Sequence, residues 1–126
     1  MQEPKALITN YLHTLSGNPK PPDTVSRFVA DEHLAKHIAD SEAAFPNYEI
    51  VVEDIIAEGN KVAVRGKFRG VHRGPFAGIE GTGRTVTAGL MIIYAVDGDR
   101  IVDHWMQFDV AGLMQQLQPA AEVTTA

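Results

Sequence analysis

The spacing of apolar side chains near the start of the chain is typical of an amphipathic helix. They recur every three or four residues, at Leu7, Ile8, Tyr11, Leu12 and Leu15. We therefore expect a helix over residues 4–16 with one buried face. Three prolines in residues 17–22 end it, because proline cannot donate the backbone hydrogen bond that a helix needs.

Two shorter helical patterns follow, at residues 25–29 and 33–44. Each comes after an aspartate, Asp23 or Asp31, whose carboxylate can accept hydrogen bonds from the free amides of a first helical turn. The sequence thus predicts three helices before residue 45.

After Phe45-Pro46-Asn47 the pattern changes to β-branched side chains that alternate with polar ones. It predicts four strands, at residues 48–57, 61–71, 84–95 and 100–108. The links at 58–60 and 97–99 are short and turn-forming, so each flanking pair of strands should form a hairpin. A glycine-rich segment, residues 70–83, separates the two hairpins and suits a loop at the mouth of a pocket.

Helices followed by strands indicate an α+β domain, with the helices on one face of a largely antiparallel sheet. In the third strand Met91 and Ile93 alternate with apolar Leu90, Ile92 and Tyr94, so both faces of the sheet need cover. We expect the helices on one face and a second copy of the chain on the other, giving a homodimer through sheet faces. Residues 1–118 should form one domain, and residues 119–126, which lack periodicity, a disordered tail.

Composition excludes several function classes. The 126 residues contain no cysteine, which removes disulfides, thiolate ligands and thiol nucleophiles. Acidic residues outnumber basic ones by 16 to 11, so the net charge of -5 repels nucleic acid and anionic membranes. Lys61, Arg65, Lys67 and Arg69 lie at strand spacing and predict a solvated strand face. Without a long apolar run or signal peptide, we expect a cytoplasmic protein.

The fourth strand carries the first candidate chemistry. Alternation places Asp103, Trp105, Gln107 and Asp109 on one side. A carboxylate beside an indole in a semi-dry pocket can both take and give a proton, which suits proton-transfer catalysis. Asp109 also precedes a helical pattern at 110–117 and could simply cap it, which would hold the carboxylate ionised. Asp103 is expected at the rim or the surface.

Three of the histidines are candidates for a functional site. His72 follows the second strand in phase with its apolar side, so it either lines the pocket mouth or is an ordinary loop histidine. His33 and His37 share a helix at the spacing of some zinc pairs, but no third ligand completes them, and we predict no metal site. Gly81-Thr82-Gly83-Arg84 precedes a strand rather than a helix, so we predict no phosphate site.

Residues 70–84 resemble the GTHxGxFxGxxPTGR signature of SnoaL-like polyketide cyclases. Residues 44–47 are similar to that family's AFPD segment, and residues 97–118 to its DGKIxExWxxxDxxGLxxQLG ending. His37 falls where the family often has a histidine. The resemblance covers residues 25–118 and departs from the family pattern at Val71, Glu80-Gly81, Asp103 and Gln118. These departures leave the substrate open.

The resemblance implies a cone-shaped, cystatin-like fold of the nuclear-transport-factor-two type, usually dimeric, with N-terminal helices on a strongly curved sheet that encloses a pocket. It implies that Asp109 acts as acid and base in an intramolecular aldol closure, without metal or organic cofactor. It implies His72 as a hydrogen-bond donor to the enolate. The side chains expected to contact a small hydrophobic ligand are Trp105, His37, Phe45, Phe76, Gln107 and Met91.

The sequence is therefore compatible with three functions. The first is a cyclase or related enzyme that acts on a small hydrophobic ketone or ester through Asp109. The second is a non-catalytic protein that binds a small hydrophobic ligand, with Asp109 as a helix cap only. Epoxide hydrolysis is the least favoured, because it needs two carboxylates around one water, and Asp103 and Asp109 would lie about 20 Å apart along a strand.

Overall fold

The computed structural model describes residues 3–118, which form four helices and four strands. The elements follow one another as α1 (Pro4–Leu15), α2 (Pro22–Phe28), α3 (Glu32–Ala44), β1 (Glu49–Glu58), β2 (Lys61–Val71), β3 (Thr85–Asp97), β4 (Arg100–Phe108) and α4 (Val110–Leu117). The strands pair antiparallel in the order β1-β2-β3-β4, which confirms the predicted α+β fold. The predicted tail, residues 119–126, lies outside the described residues.

The helix starts show which predicted caps form. Asp31 accepts a hydrogen bond from the Leu34 amide and begins α3, as predicted. The cap predicted at Asp23 is wrong, because α2 begins one residue earlier at Pro22 and Asp23 lies in its first turn. Proline suits that position, since the first helical amide has no intrahelical partner to lose. None of the described helices combines the length and hydropathy needed to cross a bilayer.

Strand register sorts the side chains of the sheet into two faces. On the inner face, towards the helices, Val62, Tyr94 and His104 lie side by side on β2, β3 and β4. On the outer face Ile93 lies beside Trp105. Bulges interrupt the ladder in β1, between Val52 and Asp54, and in β4, where Val102 is the extra residue opposite the step from Ala95 to Val96. Such bulges bend a sheet and increase its twist, which helps it to curve around the helices.

The core lies between the helices and the inner face of the sheet. The predicted stripe of α1 is buried there in full, at Leu7, Ile8, Tyr11, Leu12 and Leu15. The outer face has no cover within the described chain. Its exposed apolar side chains include Ile56, Met91, Ile93, Val102 and Trp105, which we call the outer patch. As predicted, Lys61, Arg65, Lys67 and Arg69 are exposed.

Candidate functional site

A cavity of about 430 Å³ opens between the inner face of the sheet and helices α1, α3 and α4. Its walls are mostly apolar and include Leu12, Leu34, Ile38, Phe68, Leu90, Ile92, Met106 and Leu113. The volume is in the range of sites for small organic ligands. Three lining residues, His37, Gln107 and Val110, are also exposed to solvent and mark the mouth.

The structure brings some of the predicted site residues together at this cavity. His37, Phe76 and Gln107 line it. Phe45 lies behind them, 1% exposed, with its ring centroid 5.4 Å from that of Phe76.

Three other predicted site residues lie outside the described lining. Met91 and Trp105 belong to the outer patch, because their strand phase points away from the helices. Asp109 is exposed and accepts a hydrogen bond of 2.9 Å from the Gly112 amide, so it caps α4 as the capping interpretation predicted. Contact of these residues with a ligand stays a prediction.

His72 ties together the two ends of the glycine-rich loop. It is fully buried, and its backbone exchanges hydrogen bonds with Arg84 and Gly83 across the loop base. Both the amide and the hydroxyl group of Thr82 lie within hydrogen-bond distance of its Nδ1, at 3.2 and 3.1 Å. Nε2 has no hydrogen-bond partner in the described part of the chain. His72 is absent from the described lining, so its role as a donor to the ligand stays a prediction.

The same loop packs directly onto α3 and carries Phe76 into the cavity wall. Gly74 allows the approach to α3, because a Cβ atom there would clash with the backbone oxygen of Ala43. Gly81 allows the loop to fold closely on itself, because a Cβ atom there would clash with the backbone oxygen of Arg73. The amides of Arg73 and Gly74 both donate to the carbonyl of Ala44. The loop is therefore a fixed part of the wall.

Two buried tyrosines supply hydrogen-bond donors to the cavity. Tyr11 of α1 and Tyr94 of β3 both line it, with ring centroids 5.7 Å apart in an edge-to-face arrangement. Burial is the largest cause that raises the pKa of both phenols, and the nearby Tyr48 adds to it, while the hydrogen bond between the two side chains raises the pKa of Tyr11 and lowers that of Tyr94. Both hydroxyl groups therefore keep their protons at neutral pH; one proton is used within the pair, and the other can be donated to a ligand oxygen.

Lys20, the cation in the cavity wall, has a structural role. Its side chain is 1% exposed, and its Nζ donates to the carbonyls of Asn18 and Tyr48 and to the Glu42 carboxylate. Burial lowers the pKa of Lys20, although the Glu42 partner opposes this. Because three acceptors use the three ammonium protons, Lys20 fastens the α1–α2 connection to β1.

A histidine–aspartate pair lies near the same cavity, on the inner face of β4. His104 Nδ1 is 2.7 Å from Asp31 Oδ2, and the two side chains are 16% and 7% exposed. Burial would raise the pKa of Asp31, but hydrogen bonds from His104 and from the first amides of α3 lower it overall. Asp103 completes a group whose ligand atoms lie within 4.8 Å of one another. Hydrogen bonds account for this grouping, since the His104 amide donates to Asp103.

The pair with His104 should make stability depend on pH below neutrality. The pKa of Asp31 in the folded state is below the ordinary 3.8, so its stabilising contribution is present above that pH. It is lost as the pH falls through the folded-state pKa.

Asn at position 31 would still cap α3, so Asp31→Asn isolates the charge. We expect it to lower the free energy of unfolding by about 1 kcal/mol at pH 7, measured by urea denaturation. The difference from the wild type should shrink at pH 3. A constant difference would show that the charge of Asp31 is not involved.

A family model described as SnoaL-like polyketide cyclase matches residues 7–117. The chain belongs to this family. The match covers α1 to α4, and so includes every element that builds the cavity. The comparison with curated proteins finds no match.

Solved structures give the same fold. AclR from Streptomyces galilaeus, a candidate hydroxylase, is 22% identical with a TM-score of 0.77, covering 95% of this chain and 87% of AclR. TsrD from Streptomyces laurentii is 23% identical with a TM-score of 0.74, covering 89% and 92%. A SnoaL-like polyketide cyclase from Agrobacterium tumefaciens is 19% identical with a TM-score of 0.75, covering 94% and 100%. At these identities the likeness concerns the fold alone.

The site predicted from the sequence lacked several polar groups that the fold places at or near the cavity. Tyr11 and Tyr94 were expected only as members of apolar faces. The sequence did contain a signal for them, because each tyrosine lies in a buried apolar stripe and a buried hydroxyl group needs a hydrogen-bond partner. His104 shares the strand phase of Met106 and Phe108, which identifies it as an inward residue.

Proposed function

We propose that this protein takes a small hydrophobic ketone or ester into the cavity and acts on it by cofactor-free acid–base chemistry of the cyclase type. The observation that carries the proposal is the uneven distribution of polar groups in the cavity wall. Apolar walls surround most of the space, whereas Tyr11, Tyr94 and His37 bring hydroxyl groups and an imidazole to it. This arrangement fits an apolar molecule with a carbonyl group.

The chemistry follows from the negative charge that develops on the carbonyl oxygen during the reaction. Removal of a proton next to a carbonyl leaves an enolate, whose oxygen needs hydrogen-bond donors in a dry site. The hydrogen-bonded pair Tyr11–Tyr94 has one such phenol proton to donate. The enolate carbon can then form a C–C bond to a second carbonyl of the same molecule. The new alkoxide takes up the proton that the base removed, so no oxidant or cofactor is consumed.

The second candidate function is binding without catalysis. It is favoured by the position of Asp109, the family's expected acid and base, which caps α4 outside the described lining. The two functions differ in proton transfer. One-ring and two-ring β-keto esters should exchange their α-protons for deuterium in D2O faster with a catalyst than in buffer, as measured by proton NMR. A binder would give calorimetric binding without faster exchange.

Asp109→Asn tests the assignment that the resemblance implies. Asparagine caps a helix about as well as aspartate but cannot transfer protons. Because Asp109 is exposed and outside the lining, we expect the exchange rate to stay within about threefold of wild type. Loss of most of the exchange, with an unchanged unfolding midpoint, would return the acid–base role to Asp109.

We also propose that the protein is a homodimer joined through the outer patch. Met91 is 57% exposed and Trp105 51% exposed, and monomers seldom leave clustered apolar side chains in water. Beside the patch, Arg65 forms ion pairs with Glu53 and Asp54, so charges of both signs border an apolar centre. A two-fold contact would bury the patch of each copy against the other.

A further inference from the structure

We infer that His37 is the acid–base group of the cavity, and that His104, held by Asp31, is a positioning residue beside it. This inference rests on the proposed function and names the group that performs it. It concerns His37 of α3, which lines the cavity, and the neighbouring pair of Asp31, the N-cap of α3, and His104 of β4.

His37 is placed to meet a ligand. It lines the cavity at its mouth, on the same helix as Leu34, Ile38 and Ser41, which also line it. Among the described residues no hydrogen bond engages its ring, so both nitrogens are left for a ligand. This differs from His72, whose Nδ1 is occupied by the Thr82 amide.

The Asp31–His104 pair is fixed on both sides. One Asp31 oxygen accepts from the Leu34 amide at 3.1 Å, and the other lies 2.7 Å from His104 Nδ1. His104 lies opposite Tyr94 in the β3–β4 ladder, so its ring belongs to the inner face. The contact with Asp31 fixes the orientation of the His104 ring, whose electrostatic influence reaches His37.

The surroundings of His37 favour its neutral form. Although the side chain reaches solvent at the mouth, partial burial of its ring in the wall is the largest cause that lowers its pKa; the nearby His104 lowers it further, and Asp40 on α3 raises it. The other titratable groups nearby are His33 on α3, the cavity-lining phenols of Tyr11, Tyr48 and Tyr94, and Lys20, whose ammonium is paired with Glu42. A neutral imidazole at pH 7 can accept a proton, as a general base must.

His37 alone can carry out both proton transfers of the reaction. Its free nitrogen takes the α-proton, and the C–H electron pair becomes the enolate. After the enolate carbon bonds to the second carbonyl, His37 returns the proton to the new alkoxide and is neutral again. When no second carbonyl is in reach, a deuteron from solvent replaces the proton on carbon, which is what the exchange measurement detects.

The first test is His37→Gln in the exchange measurement with β-keto esters. We expect the rate to fall by about 100-fold or more, with the calorimetric Kd within about threefold of wild type. His33→Gln, one turn earlier on the same helix and exposed, is the matched control and should keep the wild-type rate. A wild-type rate in His37→Gln would overturn the inference and leave the proposed function standing.

The second test addresses His104 through pH. In His104→Gln we expect the NMR titration midpoint of His37, and the midpoint of the pH–rate profile, to move to higher pH, because the electrostatic effect by which His104 lowers the pKa of His37 is removed. A purely structural role for His104 would change stability and leave both midpoints in place, which would overturn the positioning role. If wild type binds the esters without exchange, the proposed function fails, and the catalytic role of His37 fails with it.

Discussion

Replacing Phe45 by alanine should lower the free energy of unfolding by about 3–5 kcal/mol, as expected for the loss of a buried aromatic side chain. Phe45 is 1% exposed and joins several elements through its ring. The centroid is 5.2 Å from that of Phe68 on β2, and 5.4 Å from both His72 and Phe76 of the loop. The substitution removes the group on which α3, β2 and the loop converge. Urea denaturation followed by circular dichroism would measure the loss.

Phe76→Ala is the matched control, because Phe76 lines the cavity and is only partly buried. We expect it to cost roughly half as much stability and to weaken ligand binding at least as much as Phe45→Ala. If the two variants lose the same stability, Phe45 is not the centre of this cluster. If Phe45→Ala stays stable and only loses ligand affinity, Phe45 contacts the ligand directly, as the sequence predicted.

If the protein is the homodimer that we propose, replacing Trp105 by lysine should convert it into a monomer. Trp105 lies on the edge strand β4 beside Ile93 of the outer patch, and a tryptophan buried in an interface is a frequent centre of binding energy. A lysine there would place an unpaired charge against the partner's apolar surface. We expect the dimer Kd to rise by about 100-fold or more. Sedimentation equilibrium at micromolar protein would measure this, with circular dichroism to check the fold.

Val110→Lys is the control for this substitution, since Val110 is 53% exposed but lies at the cavity mouth. It should leave the dimer intact. A wild-type protein that sediments as a monomer would remove the basis for the proposed dimer. A dimer that survives Trp105→Lys would instead show that the copies meet through another surface.

The order of elements could be predicted from the sequence because each signal is local. The stripe of α1, the turns at 58–60 and 97–99, and the aspartate before α4 each act over a few residues. The limits of β2 and β4 were predicted to the residue, whereas β3 continues to Asp97, two residues beyond its predicted end. The error at Asp23 arose because a proline at the first helical position competes with a capping side chain for the helix start.

The site was harder to predict because alternation shows which side chains share a face but not which face meets the helices. Asp103, Trp105 and Gln107 do alternate along β4 as the sequence predicted. The side chain of Trp105, however, lies on the outer face of the sheet. The aromatic residue suggested a pocket wall and is exposed instead. Asp31 and His104 are 73 residues apart in the chain, so only the folded topology brings them together.

The cavity and the outer patch lie on opposite faces of the sheet, and one residue connects them: Gln107 marks the mouth and lies opposite Met91 of the patch in the β3–β4 ladder. In the proposed dimer, a ligand on the His37 and Val110 side of the mouth would leave the patch free, whereas one that contacts Gln107 would reach its border. Ligand occupancy and self-association should therefore be coupled through Gln107 alone. Evolution could then change ligand specificity through inward residues of β3 and β4 while their outward neighbours preserve the assembly.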